Sequence, residues 1–126
     1  MDITLSELTG QYYRLFNDVY IHAFSYMVMV DILTGLLKAG KQHKLNSTVG
    51  LWGLVKHVTV MLVVISVYPY LLYIKFNGIA YIIVTYFVVT YAISIIENLS
   101  VLGIPFPNGI KRKLEKIQKE LDDKEE

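Results

Sequence analysis

From residue 32 to residue 96 the chain contains no acidic side chain. Two apolar runs without any charge, residues 58–74 and 78–96, fill most of this stretch. At 1.5 Å per residue the second run is about 28 Å long as a helix, close to the roughly 30 Å hydrocarbon core of a bilayer. Two such runs are difficult to bury inside a soluble domain of 126 residues, so the sequence predicts a membrane protein.

A third, weaker span is predicted at residues 15–37, where Asp18, His22 and Asp31 interrupt the apolar sequence. An acid at the bilayer centre costs about 3 kcal/mol on the insertion scale, so we expect Asp18 and Asp31 near opposite ends of this span. Pro69 lacks a backbone donor and is expected to kink the second span. The predicted fold is an all-α membrane protein. It has three transmembrane helices at about residues 15–37, 54–74 and 78–102, within a domain of residues 1–107.

The lysines predict the orientation. The connection after the first span contains four lysines and no acid, and residues 108–126 contain six bases. Because cytoplasmic segments are enriched in Lys and Arg, the N-terminus is predicted outside and the C-terminus inside, which leaves only Arg14 and Lys75 outside. Ten of the twelve bases would then face the cytoplasm.

Residues 108–126 are expected to form a charged, amphipathic cytoplasmic helix. Ile110, Leu114, Ile117 and Leu121 recur at helical spacing and would share one face. Such a helix could lie on the membrane, pair with copies of itself, or stay solvated.

No enzyme motif is visible. The chain has no cysteine, no glycine-rich phosphate loop and no zinc-binding His-Glu-x-x-His pattern. We therefore predict a protein that is not an enzyme and that uses no cofactor, metal or nucleic acid.

The membrane acids are the candidate functional groups, since an ionisable residue inside a span is a functional hypothesis by default. Asp31 and Glu97 bound the acid-free stretch and are expected at similar depth on the cytoplasmic side. We predict that they form a network with Lys38 or Lys56, with unpaired snorkelling to lipid headgroups as the alternative. Asp18, His22 and Asp31 place polar groups on two faces of the first span, so these three are candidate gating or pore-facing residues.

Several short motifs also occur in a fixed order along the chain. They are Asp31-Ile-Leu-Thr34-Gly35-Leu-Leu-Lys38, Asn46-Ser47, Gly53, Lys56, Glu97-Asn98 and Gly103-Ile-Pro105. This ordered set resembles the phage lysis and toxin-secretion holin family, over roughly residues 28–116. The chain departs from the family pattern at His57, where a second base is frequent, and at residues 68–70, where an acid is frequent.

The resemblance implies a holin that assembles with copies of itself in the cytoplasmic membrane of a bacterium. The holes would release a cell-wall hydrolase or a toxin, and the holin would not need to bind that protein directly. Two other functions stay open from the residues alone. One is a small ion channel or transporter subunit, and the other is a membrane anchor that recruits a soluble partner through its tail.

Overall fold

A computed structural model describes residues 4–125 of the chain, so the outermost predicted residues, 1–3 and 126, lie outside it. The described residues form helices and connecting turns without any strand. The helices are α1 (Leu5–Arg14), α2 (Val19–Lys41), α3 (Ser47–Tyr73), α4 (Asn77–Val101) and α5 (Asn108–Glu125). Three of them, α2, α3 and α4, are long and apolar enough to cross a membrane. The prediction of an all-helical chain with three such helices is confirmed.

Side-chain caps set where two of the long helices begin. Asp18 has extended backbone and accepts hydrogen bonds from the amides of Tyr20 (2.8 Å) and Ile21 (3.3 Å), so α2 begins at residue 19 rather than 15. Asn46 accepts from two amides of α3 in the same way, at 2.9 and 3.4 Å. Helix α3 therefore begins seven residues earlier than the predicted residue 54. The segment before Asp18 forms a separate helix, α1, and a 3-10 turn at Leu15–Asn17, neither of which was predicted.

The three long helices end in the same kind of turn. The residue after each C-cap has a positive φ, at His43, Lys75 and Gly103. At α4 the amide of Ile104 bonds the carbonyl of Leu99 (2.9 Å) and the amide of Gly103 bonds that of Ser100 (3.1 Å), which is a Schellman motif. Gly103 and Pro105 thus stop α4 and turn the chain away from it.

The α2 and α4 helices run parallel and form the main packing interface, with α3 antiparallel to both. Phe24 of α2 packs against Phe87 and Tyr91 of α4. Tyr68 of α3 packs against Tyr81, near the start of α4. Phe24, Tyr68 and Tyr91 belong to one buried apolar cluster shared by the three long helices, and Phe87 packs against it.

Helix α3 is attached to the other two along only part of its length. Its buried residues, Val64, Tyr68 and Pro69, all lie in the second half, whereas residues 47–56 are exposed throughout. Helix α1 lies along this second half, where the Tyr12 hydroxyl donates to the carbonyl of Ser66 at 2.8 Å. That carbonyl is three residues before Pro69, in the turn where the proline disrupts the regular helical hydrogen bonds.

Helix α5 folds back along α4. Lys111 Nζ lies 3.5 Å from Glu97 Oε1, and the Gln118 side-chain amide donates to Thr90 Oγ1 at 2.8 Å. From the first contact to the second, the chain goes back seven residues along α4 and forward seven residues along α5. The two helices are therefore antiparallel and keep the same register over both contacts. None of the three placements considered for the tail included this hairpin.

Candidate functional site

Among the described residues, Asp31 is the one buried acid. It lies ten residues before Lys41, about 15 Å from the end of α2, which is deeper than the two turns that the predicted span implied. Only 6% of Asp31 is exposed. Its Oδ1 atom accepts hydrogen bonds from the Ser94 hydroxyl at 2.7 Å and the Asn98 side-chain amide at 3.1 Å. Two neutral donors from α4 therefore stabilise a carboxylate on α2.

Asn98 and Thr34 join α4 to α2 one helical turn beyond Asp31, toward the C-terminal end of α2. The Asn98 amide donates to Thr34 Oγ1 at 3.0 Å, and the Thr34 hydroxyl donates to the carbonyl of Val30 at 2.9 Å. A Cβ atom added to Gly35 would lie 3.8 Å from Asn98 Nδ2, an ordinary contact distance. An alanine at position 35 would therefore fit beside the Asn98 side chain without a clash.

A histidine on α3 completes the group. His57 Nε2 lies 3.9 Å from Asp31 Oδ2, and His57 Nδ1 is hydrogen-bonded to the Tyr91 hydroxyl at 2.9 Å. We call Asp31, Thr34, His57, Tyr91, Ser94 and Asn98 the Asp31 cluster. It connects all three long helices, and among the described residues no buried side-chain nitrogen or oxygen lacks a hydrogen-bond partner.

The predicted partners of Asp31 are wrong. Glu97 does not meet Asp31; it is exposed and pairs with Lys111 of α5. Among the described residues, no ion pair joins either acid to Lys38 or Lys56, and Lys56 is exposed. The reason is helical phase, because Glu97 is rotated by about 100° from Asn98, which faces α2.

The acid just before α2, Asp18, has a structural role in this chain. Besides capping α2, its Oδ2 atom accepts a hydrogen bond from the Tyr68 hydroxyl at 2.8 Å. His22 is exposed, and its Nε2 atom is hydrogen-bonded to the carbonyl of Phe16. A gating or pore-facing role for Asp18, His22 and Asp31 stays a prediction.

The other motif residues serve helix ends or exposed surfaces. Asn46 caps α3, Ser47 is its first residue, and Gly103 and Pro105 stop α4. Gly53 has no atom within 4 Å of the position of a Cβ. The motif therefore combines three buried residues of the Asp31 cluster with helix signals that act locally.

Sequence reasoning missed His57, Tyr91 and Ser94 as partners of Asp31. Their signal was present, since Tyr91, Ser94 and Asn98 recur at spacings of three and four and share one face of α4. The described residues contain no group of three side chains suited to holding a metal ion. The cluster can bind helices together and hold a charge inside the apolar layer, which is a packing role rather than a catalytic one.

Three apolar helices joined by a buried polar cluster define a small multi-pass membrane protein. The chain belongs to the bacteriophage holin family, whose model matches residues 10–119. The resemblance inferred from the ordered motifs is confirmed.

Individual relatives are similar over most of their length. The chain is 31% identical to a probable holin of Bacillus phage phi105 over 114 residues, covering 89% of this chain and 84% of the phage protein. It is also 31% identical over 103 residues to an uncharacterised 14.9 kDa protein of Clostridium perfringens, covering 79% of this chain and 77% of that protein. The YqxH protein of Bacillus subtilis is 30% identical over 108 residues, covering 84% of this chain and 77% of YqxH. No solved structure matches the chain.

Proposed function

We propose that this chain is a holin that assembles with copies of itself in the bacterial cytoplasmic membrane and forms holes. The holes release a cell-wall hydrolase or a toxin, and the chain itself catalyses no reaction. Membership of the bacteriophage holin family is the observation that carries this proposal.

The surface of α3 supports self-association. Large apolar side chains such as Leu51, Trp52 and Leu62 are more than half exposed along its first two thirds. In a bilayer these side chains contact either lipid or another protein. Packing of α3 against a second copy would bury them without disturbing the α2–α4 interface.

The burial of Asp31 favours a holin over a narrow ion channel. An ion-conducting acid needs a carboxylate oxygen open to water along a pathway, whereas Asp31 is enclosed by donors from α4 and by His57. A single chain can thus remain in the membrane without exposing this charge, as a protein that accumulates harmlessly must.

Expression in a bacterium that also makes a cell-wall hydrolase tests the function. A holin stops growth abruptly and releases large cytoplasmic proteins, because its holes pass folded proteins. A channel produces a slow loss of ions and membrane potential without protein release. A membrane anchor produces neither effect, and either of these two results would contradict the proposal.

The proposed orientation has the N-terminus outside and the C-terminus inside. Because the chain has no cysteine, single substitutions Thr4→Cys and Lys124→Cys can each be labelled selectively. An impermeant thiol reagent added to intact cells before lysis should modify only the first. After the cells are permeabilised it should modify both, which controls for reactivity.

A further inference from the structure

One face of α5 packs against α4. Along α5 up to residue 123, four residues are partly buried and the others are exposed. The four recur at spacings of three, four and three: Lys111, Leu114, Gln118 and Leu121. This docking face differs from the apolar stripe read from the sequence. Ile110 and Ile117 of that stripe are 45% and 40% exposed, while Lys111 and Gln118 lie against α4.

The docked helix reaches the middle of the membrane. Thr90 is eleven residues from the end of α4, about 16 Å at 1.5 Å per residue, and half of the hydrocarbon core is about 15 Å. Gln118 is hydrogen-bonded to Thr90, and α5 continues beyond that contact. In this register, residue 121 is level with residue 87 of α4.

The outer face of α5 cannot contact lipid at that depth. Up to residue 123 it carries exposed charges, among them Lys116, Lys119, Glu120 and Asp123. Each charge at the bilayer centre lowers partitioning into lipid by roughly a hundredfold, whereas water solvates it fully. The docked hairpin is therefore compatible with a membrane-embedded α4 only where water reaches that side of α4.

We propose that the α4–α5 hairpin forms the water-facing wall of the hole. In the assembled hole α5 lies against α4 with its charged face toward the aqueous lumen, and it leaves α4 when lipid surrounds that side. The Glu97–Lys111 pair and the Gln118–Thr90 hydrogen bond hold the docked state. This inference rests on the proposed hole-forming function.

Cross-linking in vesicles tests the inference. The full-length protein with Thr90→Cys and Gln118→Cys is reconstituted into liposomes that contain a fluorescent dextran, and leaky vesicles are separated from tight ones. A short bismaleimide that crosses membranes is then added to both fractions, and the intramolecular cross-link is measured by mass spectrometry. The matched control carries Thr90→Cys with Lys116→Cys, which places the second thiol on the opposite side of α5.

We expect the Thr90–Gln118 cross-link to be at least about tenfold more abundant in leaky vesicles, given the exclusion of charged residues from lipid. The control pair should cross-link poorly in both fractions. If the double substitution impairs insertion, Ile93→Cys with Leu114→Cys samples the same interface about one turn nearer the end of α4.

Other outcomes overturn the inference. Equal cross-linking in tight and leaky vesicles, or enrichment in tight ones, would show that docking does not accompany the hole. Cross-linking of the control pair at the level of the test pair would show that α5 has no fixed face on α4. If the unsubstituted protein makes no vesicle leaky to dextran, the hole-forming function itself fails, and this inference fails with it.

Discussion

Replacing Asn98 with aspartate turns the donor in the Asp31 cluster into a second carboxylate without changing its size. In the native chain Asn98 Nδ2 lies 3.1 Å from Asp31 Oδ1 and 3.0 Å from Thr34 Oγ1. In Asn98→Asp an oxygen takes the place of that nitrogen. The attraction between α2 and α4 then becomes a repulsion at the same distance.

The magnitude follows from two limits. Two unit charges 3.1 Å apart repel by about 5 kcal/mol at an effective dielectric constant near 20. Removing one partner of a buried, paired charge costs about 3–5 kcal/mol in proteins. We therefore expect Asn98→Asp to lower the free energy of unfolding by about 4 kcal/mol at pH 7.

The double variant Asp31→Asn with Asn98→Asp is the matched control, since it restores one carboxylate and one amide with the positions exchanged. Unfolding by SDS titration in mixed micelles, followed by circular dichroism, measures all three variants against the native chain. The double variant should recover at least half of the lost stability. A loss below about 1 kcal/mol in Asn98→Asp, or a double variant no better than the single one, would refute the assigned Asp31–Asn98 contact.

Two smaller effects should follow from the helix ends. Gly103→Ala should lower the free energy of unfolding by about 1 kcal/mol, because φ at this residue is +80°. The control Gly53→Ala should be neutral or stabilising by up to about 1 kcal/mol in the same SDS titration, because Gly53 lies inside α3 with open space around it. Asn46→Ala should cost about 1 kcal/mol through loss of the α3 cap, and Asn46→Asp should retain most of that stability; equal losses in the two variants would contradict the capping role.

The long spans could be predicted from the sequence because lipid imposes a simple requirement. Helix α4 was predicted at residues 78–102 and lies at Asn77–Val101, since an uncharged run has few alternative structures in a bilayer. The start of α2 was misplaced because hydrophobicity was given more weight than capping. Asp18 follows the pattern of an N-cap, and that local signal would have separated α1 from α2.

The partners of Asp31 could not be found by pairing charges. A buried carboxylate needs hydrogen bonds, and the neutral donors of Ser94 and Asn98 supply them without bringing a second charge into the apolar interior. The docking of α5 was missed for a different reason. An apolar stripe predicts which side of a helix is buried but not what covers it, and half of that stripe stays exposed beside the docking face.

Because α3 is packed against the other helices only in its second half, its first half can move independently of the rest of the chain. His57 is the first residue of α3 that contacts the α2–α4 pair through a hydrogen bond, and the ten residues before it form a lever about 15 Å long. A rotation of 20° about His57 would displace the start of α3 by about 5 Å while the buried half stays in place. Amide hydrogens in residues 47–56 should therefore exchange independently of those in the second half of α3 when the protein is in detergent micelles.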